Sequence, residues 1–224
     1  MKLILFDIDG TLISTGGAGT RALDKAFFEV LDIKNAFINF EMAGKTDIQI
    51  IKEGLLRWQI KPSSPLIKTI IKSYLKNLEV EMNNNSKHIK PGVIDFLNFI
   101  QNDLGYPIGL LTGNLEKGAR VKLAAFDLNH YFPFGAFGSD HEDRRYLLPI
   151  ALTRFSRLFR RKISFNNCIV VGDTPRDVAC AKPYGAKVIA VATGPYTVSE
   201  LITTEADVVV EELSEIEKIL KVFE

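Results

Sequence analysis

Four apolar residues, Leu3-Ile4-Leu5-Phe6, run straight into Asp7-Ile8-Asp9-Gly10-Thr11, and this abrupt change constrains the fold more than any other feature of the chain. A short apolar run bounded by Asp-Gly reads as a strand buried on both faces. Side chains two apart on extended backbone point the same way, so Asp7 and Asp9 can work together. Taken alone, Asp9-Gly10 also fits a hairpin turn leading into Leu12-Ile13. The same arrangement recurs twice, however. Tyr106-Pro107-Ile108-Gly109-Leu110-Leu111 runs into Thr112-Gly113-Asn114, and Ile169-Val170-Val171 runs into Gly172-Asp173-Thr174-Pro175-Arg176-Asp177. In a parallel sheet, ligands bind beyond the carboxyl ends of the strands, so the three polar sets converge there. Convergence is harder to explain as turn chemistry.

The pattern between these segments predicts two kinds of structure. Strands are expected near 107–111, 134–138, 168–171, 187–191 and 207–210, separated by helical periodicity. That alternation implies an α/β fold, a Rossmann-like doubly wound parallel sheet with helices on both faces. From Thr20 to about Leu31, Ala22, Leu23, Ala26, Phe27 and Val30 recur at helical spacing, and helices follow at Asp47 to Trp58 and Pro65 to Glu81. Gly16-Gly17-Ala18-Gly19 reads as a flexible entry to the first of them; it is too irregular for a phosphate-binding GxGxxG. The polar stretch Asn83 to His88 before Pro91-Gly92 marks a second boundary. Residues 15–88 therefore read as an inserted all-helical module, and residues 1–14 and 89–224 as the α/β core, a division that suits a chain of 224 residues.

Composition narrows the function classes. The 28 basic and 27 acidic side chains nearly cancel, leaving no electrostatic footprint for nucleic acid or an anionic membrane. Arg154, Arg157, Arg160, Arg161 and Lys162 interleave with Phe155, Leu158 and Phe159, which reads as the solvated face of an outer helix. Cys168 and Cys180 lack metal-ligand spacing and read as inert core thiols. No apolar run approaches membrane-spanning length, and the amino-terminal run is too short for a signal peptide. A cytoplasmic enzyme acting on a small soluble molecule is expected.

With its motifs in this order, the chain resembles the phosphatase branch of the haloacid dehalogenase superfamily with a helical cap. Asp7 to Thr11 matches the DxDGT motif, Thr112 the strand-end Thr or Ser, and Asp173 and Asp177 the GDxxxD motif. The resemblance implies that Asp7 attacks phosphorus in line to form an aspartyl-phosphate, while Asp9 protonates the leaving oxygen and then activates water. Two carboxylates so close cannot both ionise cheaply, which should raise one of them, with Asp9 the natural candidate. Mg²⁺ is implied at Asp7, Asp173 and the backbone carbonyl of Asp9. Asp177 would steady Asp173 or the Mg²⁺ waters, although Thr174-Pro175-Arg176-Asp177 is also a good helix start. Thr112 with the amides of Gly113 and Asn114 would hold the phosphoryl oxygens.

The chain departs from the family at the third motif, usually Lys. Between Asp140 and Leu148 there is no Lys, and Arg144 or Arg145 stands in its place. Both continue the apolar face of Leu148, Ala151, Leu152 and Phe155 at helical offsets; resemblance favours Arg144, whose planar fork suits a phosphoryl group. His141 reads as a loop residue. In the cap, Gly44-Lys45-Thr46-Asp47 resembles a segment of phosphoglycolate phosphatase-like members, which would let Lys45 and Thr46 meet the substrate. Equally, Thr46 and Gln49 form a capping box. The implied function is cleavage of a small phosphomonoester, phosphoglycolate-like. The alternatives are a phosphomutase, a 2-haloacid dehalogenase (which would leave Asp9, Asp173 and Asp177 without a role) and a non-catalytic phosphometabolite sensor. Neither the metabolite nor the oligomeric state can be read from the residues.

Overall fold

A computed structural model describes residues 1–223. Its centre is a six-stranded parallel sheet in the order β5-β4-β1-β6-β7-β8. The strands are β1 (Leu3–Phe6), β4 (Ile108–Thr112), β5 (Gly135–Phe137), β6 (Cys168–Gly172), β7 (Lys187–Val191) and β8 (Val208–Val210). β1 lies between β4 and β6, with Phe6 opposite both Leu110 and Val171. The carboxyl ends of the three motif-bearing strands are therefore side by side. This is the doubly wound arrangement the alternating pattern implies, and the strand bounds differ from the expected ones by one residue or so.

Alternation along β1 builds two core layers. Ile4 and Phe6 pack on one face with Phe96, Leu97, Ala119, Leu123 and Ile219, from α4 (Val93–Asn98), α5 (Glu116–Ala124) and α9 (Ile216–Leu220). Leu3 and Leu5 pack on the other with Leu148, Ala151, Phe155, Val178 and Ala181, from α6 (Leu147–Phe159) and α7 (Pro175–Ala181). Cys168 and Cys180 are free thiols buried in this second layer. α8 (Val198–Ile202) bridges β7 and β8. α4 continues as a π-helical turn at Phe99–Asp103. Among the described residues no helix is long and apolar enough to cross a membrane.

A third apolar cluster belongs to α1 (Ala18–Leu31), α2 (Asp47–Arg57) and α3 (Ser64–Glu81), where Ala22, Phe27, Ile51, Leu55, Tyr74 and Leu78 meet. Leu115, at the start of α5, is buried in the same cluster, so this helical unit packs directly against the core. Two short strands tie it in: β2 (Ile13–Ser14) pairs antiparallel with β3 (His88–Ile89). This ribbon overturns the hairpin alternative for Asp9-Gly10, because Ile13 pairs with Ile89 and not with β1. The entry to α1 is also less loose than expected: Gly16 and Gly17 make the turn, and Ala18 and Gly19 already belong to the helix.

Candidate active site

The three loops beyond β1, β4 and β6 line one cavity of about 320 Å³, covered by α1, the turn before α2, and Tyr74 of α3. Asp7 is the residue after β1 and is buried; its amide donates to Val171 O at 2.9 Å, which fixes the backbone at the strand end. Around it stand Asp173 and Asp177, with one carboxylate oxygen from each of the three within 4.8 Å of the others. Burial is the chief reason that the Asp7 carboxyl rises to about 6; Asp177 and Asp9 push it the same way, and Arg144 and Thr112 oppose it. Crowding of like charges therefore adds to burial in perturbing this site. Asp173 is raised too, again mainly by burial.

Arg144 and Arg145 part company. The 3₁₀ turn Arg144–Tyr146 leading into α6 turns Arg144 inward, 6% exposed, while Arg145 lies outside on Asp143. Arg144 Nη2 reaches Asp7 Oδ1 at 3.2 Å, Leu111 O at 3.2 Å and Asp177 Oδ1, and Nη1 donates to Gly44 O, in the turn before α2, at 3.2 Å. Its Nε is buried without a partner among the described residues. Burial works against its charge, and Asp177 and Asp7 outweigh it, holding the guanidinium protonated.

Asp177 is fully occupied. Its Oδ2 accepts from the Thr174 amide at 3.0 Å and the Thr174 hydroxyl at 2.7 Å, and its Oδ1 takes Arg144. It thus closes the start of α7, as the helix-start reading expects, and it orients Arg144; among the described residues no hydrogen bond joins it to Asp173. Asp173 gives one oxygen to the Thr11 hydroxyl at 2.7 Å; among the described residues no donor holds its second. Glycine makes room for that second oxygen, since a Cβ at Gly10 or Gly194 would overlap Asp173 Oδ2. Free oxygens on Asp7 and Asp173, side by side and buried, suit a hard divalent cation.

Thr112 is buried, and its hydroxyl accepts from the Asn114 amide at 3.3 Å and from Asn114 Nδ2 at 2.9 Å. Gly113 and Asn114 line the cavity. In the helical unit, Lys45 also lines the cavity, but its ammonium sits on Glu53 at 2.7 Å and over the Phe40 ring at 5.0 Å. Thr46 does not reach the cavity. Its hydroxyl donates to Glu142 O at 2.7 Å and accepts from the Gln49 amide at 3.2 Å, so it docks the helical unit and starts α2. The expected capping box is only half formed, because Gln49 turns its side chain to Glu53.

Lys122 and Asp47 line the cavity without a role in the sequence reading. Lys122 of α5 is 4% exposed, and its ammonium donates to Asp9 Oδ2 at 2.7 Å and Asn114 Oδ1 at 2.5 Å. Asp47, the first residue of α2, is buried and accepts from the Leu115 amide at 2.8 Å. Burial lifts its carboxyl to about 6, against the pull of Lys122. A signal for Lys122 was present: it lies four residues after Gly118 and next to Leu123, on the buried stripe of α5.

The sequence profile of the haloacid dehalogenase-like hydrolases matches residues 1–185. A phosphoglycolate phosphatase of Photorhabdus laumondii is 23% identical over 204 residues, covering 87% of this chain and 81% of its own length. A crystal structure described as a predicted phosphatase from Clostridium acetobutylicum superposes with a TM-score of 0.74 at 19% identity, covering 98% of both chains. One described as a predicted phosphoglycolate phosphatase from Haemophilus somnus gives 0.73, also at 19%, covering 98% and 97%. At such identities the structures speak for the fold, and the profile, spanning all three motif loops, speaks for the family: the chain belongs to the haloacid dehalogenase-like hydrolases.

Proposed function

We propose that the chain is a Mg²⁺-dependent phosphohydrolase of the cytoplasm that cleaves a small, phosphoglycolate-like phosphomonoester through an aspartyl-phosphate on Asp7. Residues 1–14 and 89–224 form its catalytic core and residues 15–88 its cap. The observation that carries this reading is the buried Arg144, which reaches Asp7 at 3.2 Å and keeps one N–H unpartnered. A buried donor left unpaired is costly, and a phosphoryl oxygen of a bound ester would satisfy it.

In this reading the Asp7 carboxylate forms the new O–P bond while the bond to the leaving oxygen breaks. Asp9 supplies that oxygen with a proton, then takes one from the water that releases phosphate. Thr112, the amides of Gly113 and Asn114, and Arg144 bind the phosphoryl oxygens; Asp177 keeps Arg144 in place. Asp7, Asp173 and the Asp9 carbonyl would hold Mg²⁺, which when bound offsets the repulsion between carboxylate and phosphate.

The test is phosphate release from a panel of phosphomonoesters that includes phosphoglycolate, with Mg²⁺ and with chelator, for the native chain and Asp7→Asn. Turnover should require Mg²⁺ and fall to background in the variant. A native chain that binds phosphate yet turns over none of the panel would instead be a sensor.

A further inference from the structure

We infer that Lys122 is a positioning residue for proton transfer to the leaving group, acting through Asp9. This rests on the phosphatase reading above and adds to it a residue outside the matched motifs. Asp9 presents its two carboxylate oxygens unequally. Oδ2 accepts from Asn114 Nδ2 at 2.7 Å and from Lys122 Nζ at 2.7 Å. Among the described residues no donor reaches Oδ1. Lys122 is in turn held by Asn114 Oδ1 at 2.5 Å, which closes a triangle of three side chains. A carboxylate pinned at one oxygen cannot swing about its last bond, so its free oxygen stays in one place. General acid catalysis depends on that placement.

The surroundings of Lys122 argue against a merely structural ion pair. Its neighbours on the buried face of α5 are Gly118, Ala119 and Leu123, where an apolar side chain would pack at no electrostatic cost. The pair is also lopsided: the Lys122 side chain is 5% exposed, while that of Asp9 is 40% exposed and lines the cavity. A buried cation is thus spent on fixing a carboxylate that faces the substrate space. The cap closes over the same spot, for a Cβ at Gly19 would come to 3.7 Å from Lys122 Nζ and 4.0 Å from the Tyr74 hydroxyl.

In the step concerned, Asp7 bonds to phosphorus, the ester P–O bond breaks with its electron pair on the leaving oxygen, and that oxygen takes the proton from Asp9, which ends as carboxylate. An alkoxide needs this proton. A carboxylate leaving group does not, so the two substrate types separate positioning from structure.

The experiment compares Lys122→Met with the native chain on the best alkyl phosphate of the panel and on acetyl phosphate, reading kcat/KM, which ends at phosphoryl transfer to the enzyme. The variant should lose on the order of 10²-fold on the alkyl phosphate, the scale of general acid catalysis, and less than about a tenth of that on acetyl phosphate. In an Asp9→Asn background it should cost nothing more, because both changes remove one function. Inhibition by inorganic phosphate should persist, showing that the site is folded; if Lys122→Met does not fold, Lys122→Ala, which likewise removes the donor to Asp9, carries the same comparison. Equal losses on both substrates, or additive losses with Asp9→Asn, would overturn the assignment. A native chain that hydrolyses neither ester would bring down the phosphatase reading beneath it.

Discussion

At the scale of single residues, the candidate site is an accounting of carboxylate oxygens. Asp177 has both of its oxygens bonded, Asp7 has one facing Arg144, and Asp173 has one on Thr11. What remains free is a pair of oxygens in a buried place, and Gly194 sits against one of them. Gly194→Ala puts a methyl group into the space of Asp173 Oδ2, and the carboxylate must turn away. Mg²⁺ affinity measured by titration calorimetry should fall at least tenfold, about 1.4 kcal/mol; unchanged affinity would remove Asp173 from the proposed ligand set. Asp7 and Asp173 stood out in the sequence because each follows an apolar strand directly, and a strand end has little choice of direction; Asp9 stood out by its two-residue spacing from Asp7. Arg144 and Arg145 were not separable. The 3₁₀ turn before α6 has three residues per turn, so the helical offsets that made the two look equivalent do not apply there. Lys122 was overlooked because a lysine at helical spacing reads as solvated surface; only the fold brings Asp9 to it, 113 residues away in the chain.

At the scale of elements, α2 begins with an acid in an unusual position. A first-turn Asp ordinarily gains from the helix dipole, but Asp47 is buried against the start of α5 and its carboxyl stands at about 6, against 3.8 for the free group. The folded state therefore binds a proton more tightly than the unfolded chain. The stability this residue contributes is fully present below about pH 4 and is lost as pH rises through 6. Asp47→Asn removes the titration. Chemical denaturation should find the variant gaining on the native chain between those pH values, by up to about 3 kcal/mol at neutral pH; a difference that does not vary with pH would refute the argument. Elements such as α2 and the six parallel strands could be read from periodicity, since their apolar residues repeat over many positions. The β2–β3 ribbon could not, because a pair of two-residue strands carries no period. Nor could the half-formed cap at Thr46, whose missing leg depends on Glu53 competing for Gln49.

At the scale of the whole molecule, the question is what holds the helical unit over the core. The β2–β3 ribbon joins them covalently, and the turn before α2 docks them. In that turn Gly44 O accepts from Arg144 and Thr46 donates to Glu142 O, and in α2 itself the Asp47 amide donates to Gly113 O at 2.8 Å and Lys52 pairs with Glu142. These contacts fall on the loop after β4 and on the arginine beside Asp7, so docking of the helical unit and order in the candidate site are coupled. Gly44 is a close approach within this arrangement. Its φ of +69° lies in the left-handed region, and a Cβ there would meet the Thr174 hydroxyl at 2.5 Å and Arg176 Cβ at 2.8 Å. Gly44→Ala costs about 1–2 kcal/mol in backbone strain alone. That strain is relieved if the turn leaves its seat, while the packing of the parallel strands, which do not touch the turn, is kept. The docked population should therefore fall, lowering kcat/KM for the alkyl phosphate roughly 5- to 30-fold, and small-angle scattering should show a larger radius of gyration than for the native chain. Acetyl phosphate should suffer as well, because undocking also releases Arg144 from Gly44 and so loosens phosphate binding; this uniform loss distinguishes an opened cap from the leaving-group-selective loss expected of Lys122→Met. Native scattering together with native kcat/KM would mean that the turn is only a passive connection and that the cap is held by the apolar contact of Leu115 with α1–α3.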